Sequence, residues 1–289
     1  MSLELHLDTS ALVYRAFFSL PKTMTDPEGR PVNAVRGFLE MVTRLTLDRR
    51  PSRIIAAWDD DWRPVFRVAA YSGYKADRPE DPPELPRQFH VLKEVLDAVG
   101  MPVAIAKGLE ADDVLATLAT EATGGDRVLL VTGDRDLVAL VRDPQVAVVF
   151  PVRGLSEVVT FDEAAVIEKY GIPPRLYQDF AMMRGDPSDG LPGVAGIGPV
   201  RAAKLLNQFG SLEGILAHTG ELPPKQRDAF ERSRGYLEAM KTVVPMITGA
   251  EIEMTEAHEP DRELIEELVE VHGLGSSPMR LAQTLAGER

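Results

Sequence analysis

The sequence predicts an α/β protein with a mostly parallel central sheet flanked by helices. Short apolar runs alternate with longer segments in which apolar residues recur at helical spacing. The apolar runs are nearly continuous, which is typical of strands buried on both faces of a parallel sheet. From about residue 162 onward the pattern becomes helical. A second, helix-rich module is therefore expected after the sheet.

Each element is predicted from its own stretch of sequence. Strands are expected at residues 3–7, 54–58, 101–106, 128–132 and 146–150. Helices are expected at about residues 10–18, 34–47, 86–98 and 110–123. Residues 71–87 carry four prolines and little apolar periodicity. Long segments of this kind are usually exposed loops with a functional role or disordered segments.

Composition excludes several classes of function. The chain has 289 residues and no cysteine, so disulfides, thiolate zinc sites and a cysteine nucleophile are excluded. Its five histidines show no HExxH spacing, which disfavours a zinc hydrolase. No signal peptide or membrane-length apolar stretch is recognised, so no membrane association and a cytoplasmic location are expected. The net charge of −13 argues against nonspecific polyanion binding but permits a local basic surface.

Carboxylates follow three of the predicted strands, and two more acidic groups lie at predicted turns or helix starts. In open α/β sheets, ligand sites lie at the carboxyl ends of the strands. At the stretch LLVTGDRDLVAL, Gly133 is expected to permit a tight exit that aims two carboxylates inward. Glu110 and Asp113 share a helix face, while Asp112 points elsewhere. The acidic set is Asp8, Asp59, Glu110, Asp112, Asp113, Asp134, Asp136, Asp186 and Asp189.

Two interpretations of these carboxylates remain open at this point. Each one alone is well explained as a helix cap, because Asp and Glu accept hydrogen bonds from free N–H groups at helix starts. If the groups converge, like charges ~4 Å apart cost about 4 kcal/mol per pair at an effective dielectric near 20. Bound cations would offset that cost, and an all-oxygen ligand set favours Mg²⁺ or Mn²⁺. Two such ions would activate water for phosphodiester hydrolysis.

Two further segments have features of nucleic-acid contact. Residues 191–206 are rich in glycine and lead into a helix whose N-terminus can bind a phosphate. Residues 63–87 mix cations with tyrosines, which can stack on a single strand, although a solvated charged loop explains them equally well. The candidate DNA contacts are Arg15, Arg67, Tyr71, Lys75, Arg78, Gly193, Gly196, Gly198, Arg201 and Lys204.

These motifs resemble the bacterial 5′-nuclease family, the 5′→3′ exonuclease and flap endonuclease module related to that of DNA polymerase I. The resemblance runs from Leu3 to about Leu216. It rests on LHLDTSALVYRAFF, AYSGYKADR, GLEADDVLATLA, VTGDRDLVALV and GDPSDGLPGVAGIGPVRAAKLL, in the family's order. There are departures, since Thr9 and Gly190 replace a usual Gly and Asn. The stretch DDDW is one residue longer than in relatives, so Asp59 and Asp61 could exchange roles.

The resemblance implies a PIN-like nuclease core over residues 1–176, with an arch loop at about 71–90. A helix–three-turn–helix DNA-binding module and a C-terminal helical region would occupy residues 177–289. The whole acidic set would surround or support the metals, and K⁺ would bind main-chain carbonyls of the hairpin. Catalysis would fall to Asp8, Asp134, Lys75 and Arg78.

The function implied is a structure-specific 5′ nuclease in DNA replication and repair. Its partner would be DNA with a 5′ flap or a duplex 5′ end, including RNA-primed ends. A stand-alone, monomeric enzyme is expected. Two alternatives are a noncatalytic DNA-junction binding module and a metal-dependent phosphatase. The phosphatase is disfavoured because such enzymes need a second Asp two residues after Asp8, and that position is Ser10.

Overall fold

The computed structural model describes residues 2–122, 125–153 and 157–287, and its centre is a seven-stranded sheet. The strand order is β6-β5-β4-β1-β2-β3-β7. Strands β1 to β5 are parallel to one another, and β6 and β7 are antiparallel additions at the two edges. The strands are β1 (Leu3–Asp8), β2 (Arg53–Trp58), β3 (Val103–Ile105), β4 (Arg127–Val131), β5 (Val146–Arg153), β6 (Glu157–Phe161) and β7 (Glu253–Met254).

Helices cover both faces of this sheet and form the second half of the chain. Helices α1 to α5 are Thr9–Ser19, Asn33–Arg49, Val65–Ala70, Leu85–Ala98 and Ala111–Glu121. Helices α6 to α11 are Glu163–Tyr170, Tyr177–Arg184, Pro199–Phe209, Leu212–Ala217, Pro224–Arg232 and Arg234–Val243. Helices α12 and α13 are Arg262–His272 and Ser277–Leu285. Short 3₁₀ helices lie at Asp136–Leu140, Pro174–Leu176, Pro187–Asp189 and Thr219–Glu221.

The strand order places a topological switch point between β1 and β4. The chain runs outward from β1 through β2 to β3, and then crosses back to add β4 and β5 on the other side of β1. Parallel pairing aligns Asp8 with Ala57, and Leu7 with Val131. The carboxyl ends of β1, β2 and β4 therefore share one edge of the sheet, where α/β proteins form their ligand crevice.

Both faces of the sheet are buried, which explains the nearly continuous apolar strands. Leu5 and Leu7 point into the core formed with α1, α2 and α4. Ile55 and Leu130 point into the opposite core, which continues into the helices after residue 170. The predicted fold class is confirmed, and so are the predicted helices α1, α2, α4 and α5 and strands β1 to β5.

Strands β6 and β7 and helix α3 were not predicted, each for a physical reason. Strand β6 lies at the sheet edge and is mostly exposed or half-buried, so it lacks a continuous apolar run. Strand β7 has only two residues, Glu253 and Met254, and its pairing with β3 is a tertiary contact. Helix α3 has six residues and lies inside the segment interpreted as basic loop.

The predicted arch loop is shorter than expected. Helix α4 begins at Leu85, so residues 85–90 are helical and not loop. The preceding residues are held against the rest of the molecule by hydrogen bonds. Lys75 N donates to the carbonyl of Asp189 (2.9 Å), and the Tyr14 hydroxyl donates to Asp81.

The C-terminal helices pack on the α/β core. Helix α12 contacts α4, and α13 contacts α2. Ile265 and Leu281 are fully buried in the same core as Leu5 and Leu7. The last segment of the predicted second domain therefore completes the first one. Across the described residues, no helix combines the length and apolar character needed to span a bilayer.

Candidate active site at the carboxyl edge of the sheet

Asp8 ends β1 and begins α1, at the centre of the acidic edge. Its Oδ1 accepts a hydrogen bond from Ala11 N (3.0 Å), so it caps α1. Its Oδ2 accepts a hydrogen bond from the Thr132 hydroxyl (2.6 Å). Burial raises the pKa of Asp8 to about 7, and the charges of Asp59 and Asp134 contribute to the rise. Asp8 therefore both caps α1 and belongs to the acidic group.

Asp134 and Asp136 follow β4 directly. Thr132 Oγ1 accepts a hydrogen bond from Asp134 N (2.8 Å), and Asp134 Oδ1 accepts one from Asp136 N (2.9 Å). Burial raises the pKa of both carboxyls, and for Asp136 the charge of Asp134 is the next cause. Oδ1 of Asp136 is buried and has no hydrogen-bond partner. Gly133 lacks a positive φ, and a Cβ there would meet Ala11 at an ordinary 3.6 Å, so this position does not depend on glycine.

Of the three aspartates after β2, Asp59 is the one whose charge is among the main causes of the raised pKa of Asp8. Asp59 accepts hydrogen bonds from the Ser10 hydroxyl and from Ala111 N (2.8 Å), and its charge acts on Asp8. Asp60 accepts a bond from Gly108 N (2.6 Å), and Asp61 accepts one from Arg63 N (2.9 Å). Because the charge of Asp59 acts on Asp8, whereas Asp61 closes a local turn, Asp59 is the better candidate for the role that the sequence left open between them.

The EADD motif divides between two environments at the start of α5. Asp112 belongs to the acidic group, since burial and the charges of Asp134 and Asp8 raise its pKa well above the usual value. Glu110 and Asp113 form a capping box and both face Arg67. Asp113 is fully buried and also accepts a bond from Ile247 N (2.8 Å). The structure therefore turns Asp113 away from the group it was predicted to join.

Arg67 does not reach the surface, in contrast to its predicted DNA contact. It is 3% exposed, and its guanidinium donates to Asp113 Oδ1 and Oδ2 (2.7 and 2.8 Å) and to Glu110 Oε2 (2.5 Å). Its Nε donates to the carbonyl of Val243 (3.0 Å), at the end of α11. All these hydrogen bonds are internal. Arg67 therefore links α5 to α11 and holds the side chains of Glu110 and Asp113.

Lys75 and Tyr74 both bind Glu110. Lys75 Nζ donates to Glu110 Oε1 and to the carbonyl of Trp62 (3.3 Å), and the Tyr74 hydroxyl donates to Oε2 (2.7 Å). Lys75 has a φ of 51°, an uncommon conformation for a residue with a side chain. Burial raises the pKa of Glu110, and the Lys75 and Arg67 cations act against this rise.

Asp186 and Asp189 approach the group from the segment after α7. Asp189 accepts a bond from Arg78 Nη2 (2.7 Å), and Asp186 accepts bonds from Ser188 N (2.9 Å) and the Ser188 hydroxyl (2.5 Å). Their charges help raise the pKa of Asp136. Gly190 explains one departure from the family pattern. Its φ is 71°, and a Cβ there would lie 2.4 Å from the carbonyl of Gly73.

The carboxylates do not form a ready-made ion site. In residues 2–122, 125–153 and 157–287, no three of them lie close enough to hold an ion as they stand. Burial and the charges of neighbouring carboxylates nevertheless raise the pKa values of Asp8, Asp112, Asp134 and Asp136. Lys75 and Arg184 oppose only part of this rise. The donor set is all oxygen, and the unpartnered Oδ1 of Asp136 is free to accept a ligand. The residues therefore fit hard divalent cations.

The glycine-rich hairpin lies beside this edge. Gly193 has a φ of 69°, and a Cβ there would lie 2.6 Å from the Arg184 backbone. Gly196 has a φ of 76°, and Gly198 precedes the first residue of α8. Arg201 is exposed, and its Nη1 donates to the carbonyl of Gly196 (2.6 Å). Lys204 is exposed on the same helix.

Two other predicted contacts are less accessible. Tyr71 is half-buried, and its ring packs edge-on against Tyr236 with centroids 6.0 Å apart. Arg15 is half-buried on α1, and burial lowers the pKa of its guanidinium. Residues that the sequence analysis missed are Ser10, Thr132 and Tyr74, which hold the acidic side chains. Their position in the sequence could have indicated them, because each lies within two residues of a predicted site residue.

Comparisons with known proteins identify the family of this chain. A family model described as the N-terminal resolvase-like domain of 5′-3′ exonuclease matches residues 4–171. The model for the C-terminal SAM fold of 5′-3′ exonuclease matches residues 172–263. A 5′-3′ exonuclease of Streptomyces coelicolor is 43% identical over 96% of this chain and 99% of that protein. DNA polymerase I of Mycobacterium bovis is 46% identical over 78% of this chain and 25% of its own length.

A solved structure has the same fold. The bacteriophage T5 D15 flap endonuclease, in a complex with DNA and metal ions, aligns with a TM-score of 0.65. It is 19% identical, and the alignment covers 98% of this chain and 99% of that one. The family models and the Streptomyces relative together span almost the whole chain. The chain therefore belongs to the 5′-3′ exonuclease family, and it is a 5′ nuclease, as its acidic motifs predicted.

Proposed function

We propose that this 5′ nuclease hydrolyses DNA phosphodiesters at 5′ ends and 5′ flaps, in replication and repair, with Mg²⁺ or Mn²⁺ as cofactor. The observation that carries the proposal is the placement of Asp8, Asp59 and Asp134 at the carboxyl ends of β1, β2 and β4, which share one edge of the sheet at its switch point. When bound, the ions would supply activated water and stabilise charge on the reacting phosphate.

The proposed metal ligands are the carboxylates whose charges act on one another. The inner group consists of Asp8, Asp59, Asp112, Asp134 and Asp136. The raised pKa values of the four other than Asp59, and the oxygen-only chemistry of the whole group, support it. Glu110, Asp186 and Asp189 would complete it from the sides, directly or through water. Asp113 is proposed only as a support, since Arg67 and two backbone N–H groups already occupy its oxygens.

Lys75 and Arg78 are proposed to bind the scissile phosphate. Each already lies against a carboxylate of the site, Glu110 for Lys75 and Asp189 for Arg78. An entering phosphate would compete with these carboxylates for the two cations. A charge-assisted bond to a developing anion is a strong way to lower a reaction barrier. Asp8 and Asp134 would act in the same step by positioning the reacting groups.

DNA is the proposed partner, held by its backbone at the hairpin. Exposed Arg201 and Lys204 and the uncapped N-terminus of α8 suit phosphates and not base edges. K⁺ is proposed to bind free main-chain carbonyls of the same hairpin, although Arg201 already occupies that of Gly196. RNA-primed 5′ ends are included in the proposed substrates. The monomeric state and the cytoplasmic location remain predictions.

The alternatives from the sequence receive less support. A noncatalytic junction-binding module would be expected to lose acidic residues at the sheet edge, and the inner group is complete. A phosphatase would need an acid at position 10, where the Ser10 hydroxyl instead donates to Asp59. Neither alternative has an observation of its own in its favour.

A cleavage assay tests the proposal directly. A 5′-labelled flap duplex is incubated with Mg²⁺ or Mn²⁺, with and without chelator, and products are sized by electrophoresis. Cleavage near the junction is expected only with free metal. Asp134→Asn should abolish cleavage while flap binding in Ca²⁺ survives. Asp162→Asn, at the exposed N-cap of α6, is the matched control and should cleave normally. Wild-type protein that cleaves with neither metal would refute the proposal.

A further inference from the structure

Trp62 is a large aromatic side chain that stays exposed close to the acidic site. The residue is 52% exposed, and among the residues that the structure describes its indole has no ring contact or hydrogen-bond partner. The other tryptophan, Trp58, packs edge-on against Phe89 with centroids 5.9 Å apart. Single exposed apolar residues are common on protein surfaces, so exposure alone does not indicate a function. The position of Trp62 is the informative observation.

That position is beside the proposed phosphate-binding lysine. The carbonyl of Trp62 accepts a hydrogen bond from Lys75 Nζ (3.3 Å), the same atom that donates to Glu110. Trp62 also lies three residues after Asp59, a member of the inner acidic group. The indole is therefore within one side-chain length of the cation proposed to hold the scissile phosphate.

The backbone around Trp62 is held in place by its neighbour. Arg63 Nε donates to the carbonyl of Tyr74 (2.6 Å), and Nη2 donates to that of Ser72 (3.0 Å). Arg63 N donates to Asp61 Oδ1 (2.9 Å). These bonds tie the Trp62 segment to the segment that contains Lys75. A ring on a preorganised backbone loses little entropy when it binds a flat partner.

We propose that Trp62 stacks on an unpaired nucleobase next to the scissile phosphate. This inference rests on the proposed function and adds a base-binding contact to it. A nucleotide presents an anionic phosphate and a flat base, and the site presents a cation hydrogen-bonded to the backbone of the residue that carries the exposed ring. Stacking is tolerant of sequence because every base has a π face. Trp62 would thus favour substrates whose reacting nucleotide is unpaired.

Substitutions separate stacking from general surface effects. Trp62→Ala should weaken flap binding roughly 5- to 150-fold, the range that base–aromatic stacking supports. Trp62→Phe keeps a ring and should retain most of the affinity. Val65→Ala is the matched control, because Val65 is 78% exposed on the same segment but is aliphatic. It should leave binding unchanged.

Fluorescence tests the contact directly. In Trp58→Phe protein, Trp62 is the only tryptophan, since the chain has two. Titration with flap DNA in Ca²⁺ should quench its emission. DNA with abasic nucleotides on both sides of the scissile phosphate should still bind, as measured by anisotropy, without quenching. Trp62→Ala should then bind abasic DNA as well as wild-type protein does.

Two results would overturn the inference. One is unchanged Trp62 emission at saturating flap DNA, and the other is an equal loss for Trp62→Ala on normal and abasic DNA. The second would point to a packing role or to a protein partner for this surface. If wild-type protein cleaves the flap but either of these two results is obtained, only this inference fails. If wild-type protein neither binds nor cleaves the flap, the proposed function fails with it.

Discussion

Lys75 and Glu110 form a buried ion pair at the edge of the acidic site. Both residues are less than a tenth exposed, and Nζ of Lys75 donates to Oε1 of Glu110. The sequence assigned the lysine to the substrate and the glutamate to the metal. Each side chain neutralises the other in this pair, so the two proposed roles are expected to be coupled.

Removing the lysine should therefore have opposite effects on metal binding and on chemistry. In Lys75→Ala, Glu110 loses its cation and the site becomes more negative, so Mn²⁺ should bind more tightly. Cleavage should slow by about 10²–10³-fold, as when a positioned electrostatic contact is removed. Calorimetric Mn²⁺ titration and single-turnover cleavage measure the two effects. Exposed Lys107→Ala should change neither, and weaker Mn²⁺ binding in Lys75→Ala would contradict the coupling.

Arg67 is predicted to be a stability residue. Its loss would leave Asp113 as a buried charge without a cationic partner, which typically costs about 3–5 kcal/mol, while Glu110 would keep Lys75. Arg67→Met should therefore lower the free energy of unfolding by roughly that amount in urea denaturation. Arg280 is the matched control, because it makes a two-bond pair with Glu40 but is half exposed. Arg280→Met should cost at most about 1 kcal/mol. Equal losses would mean that Arg67 is not held as the structure describes.

The sequence predicted the sheet edge well because an apolar run followed by a carboxylate is a local pattern. It could not assign each acid of EADD, since the contact of Asp113 with Arg67 joins residues 46 positions apart. Helical spacing did predict that Glu110 and Asp113 share a face. Arg67 was predicted to contact DNA because no feature of the neighbouring sequence indicates that it binds the carbonyl of Val243. Burial of a charged residue is decided by such distant partners.

The pH dependence of stability should reveal the crowded carboxylates. A carboxyl whose folded pKa is raised binds its proton more tightly when folded, so stability is highest below the unfolded pKa. For Asp8, whose pKa rises from 3.8 to about 7, stability is lost as pH rises across that interval. Asp112, Asp134 and Asp136 act in the same direction. Metal-free protein should thus melt at a lower temperature at pH 8 than at pH 5.

Asp8→Asn isolates one contribution to this effect. Asparagine can keep the cap on Ala11 N without the charge, so the variant should melt several degrees higher than wild type at pH 8 in chelator. At pH 4 the two should converge. Asp162→Asn changes an equivalent but exposed cap, with Ala165 N at 2.8 Å, and should show no such gain. A lower melting temperature for Asp8→Asn at pH 8 would contradict the raised pKa.

The Thr132 hydroxyl is expected to lower the pKa of Asp8. The residue is fully buried, and its Oγ1 donates to Asp8 and accepts from Asp134 N. Thr132→Val keeps the shape but leaves both groups without that partner, at a cost of about 1–3 kcal/mol. The lost bond had lowered the pKa of Asp8, so this pKa should rise further. The acidic limb of the pH–rate profile should then move to higher pH.

A buried threonine elsewhere provides the comparison for this shift. Thr43 is also buried, but its hydroxyl donates only to the carbonyl of Leu39 within α2 (2.7 Å). Thr43→Val should leave the pH–rate profile in place even if stability changes slightly. Thr132→Ser should restore the wild-type profile, because serine keeps the hydroxyl that holds both aspartates. An unmoved limb in Thr132→Val, with normal folding, would separate Thr132 from the charge state of Asp8.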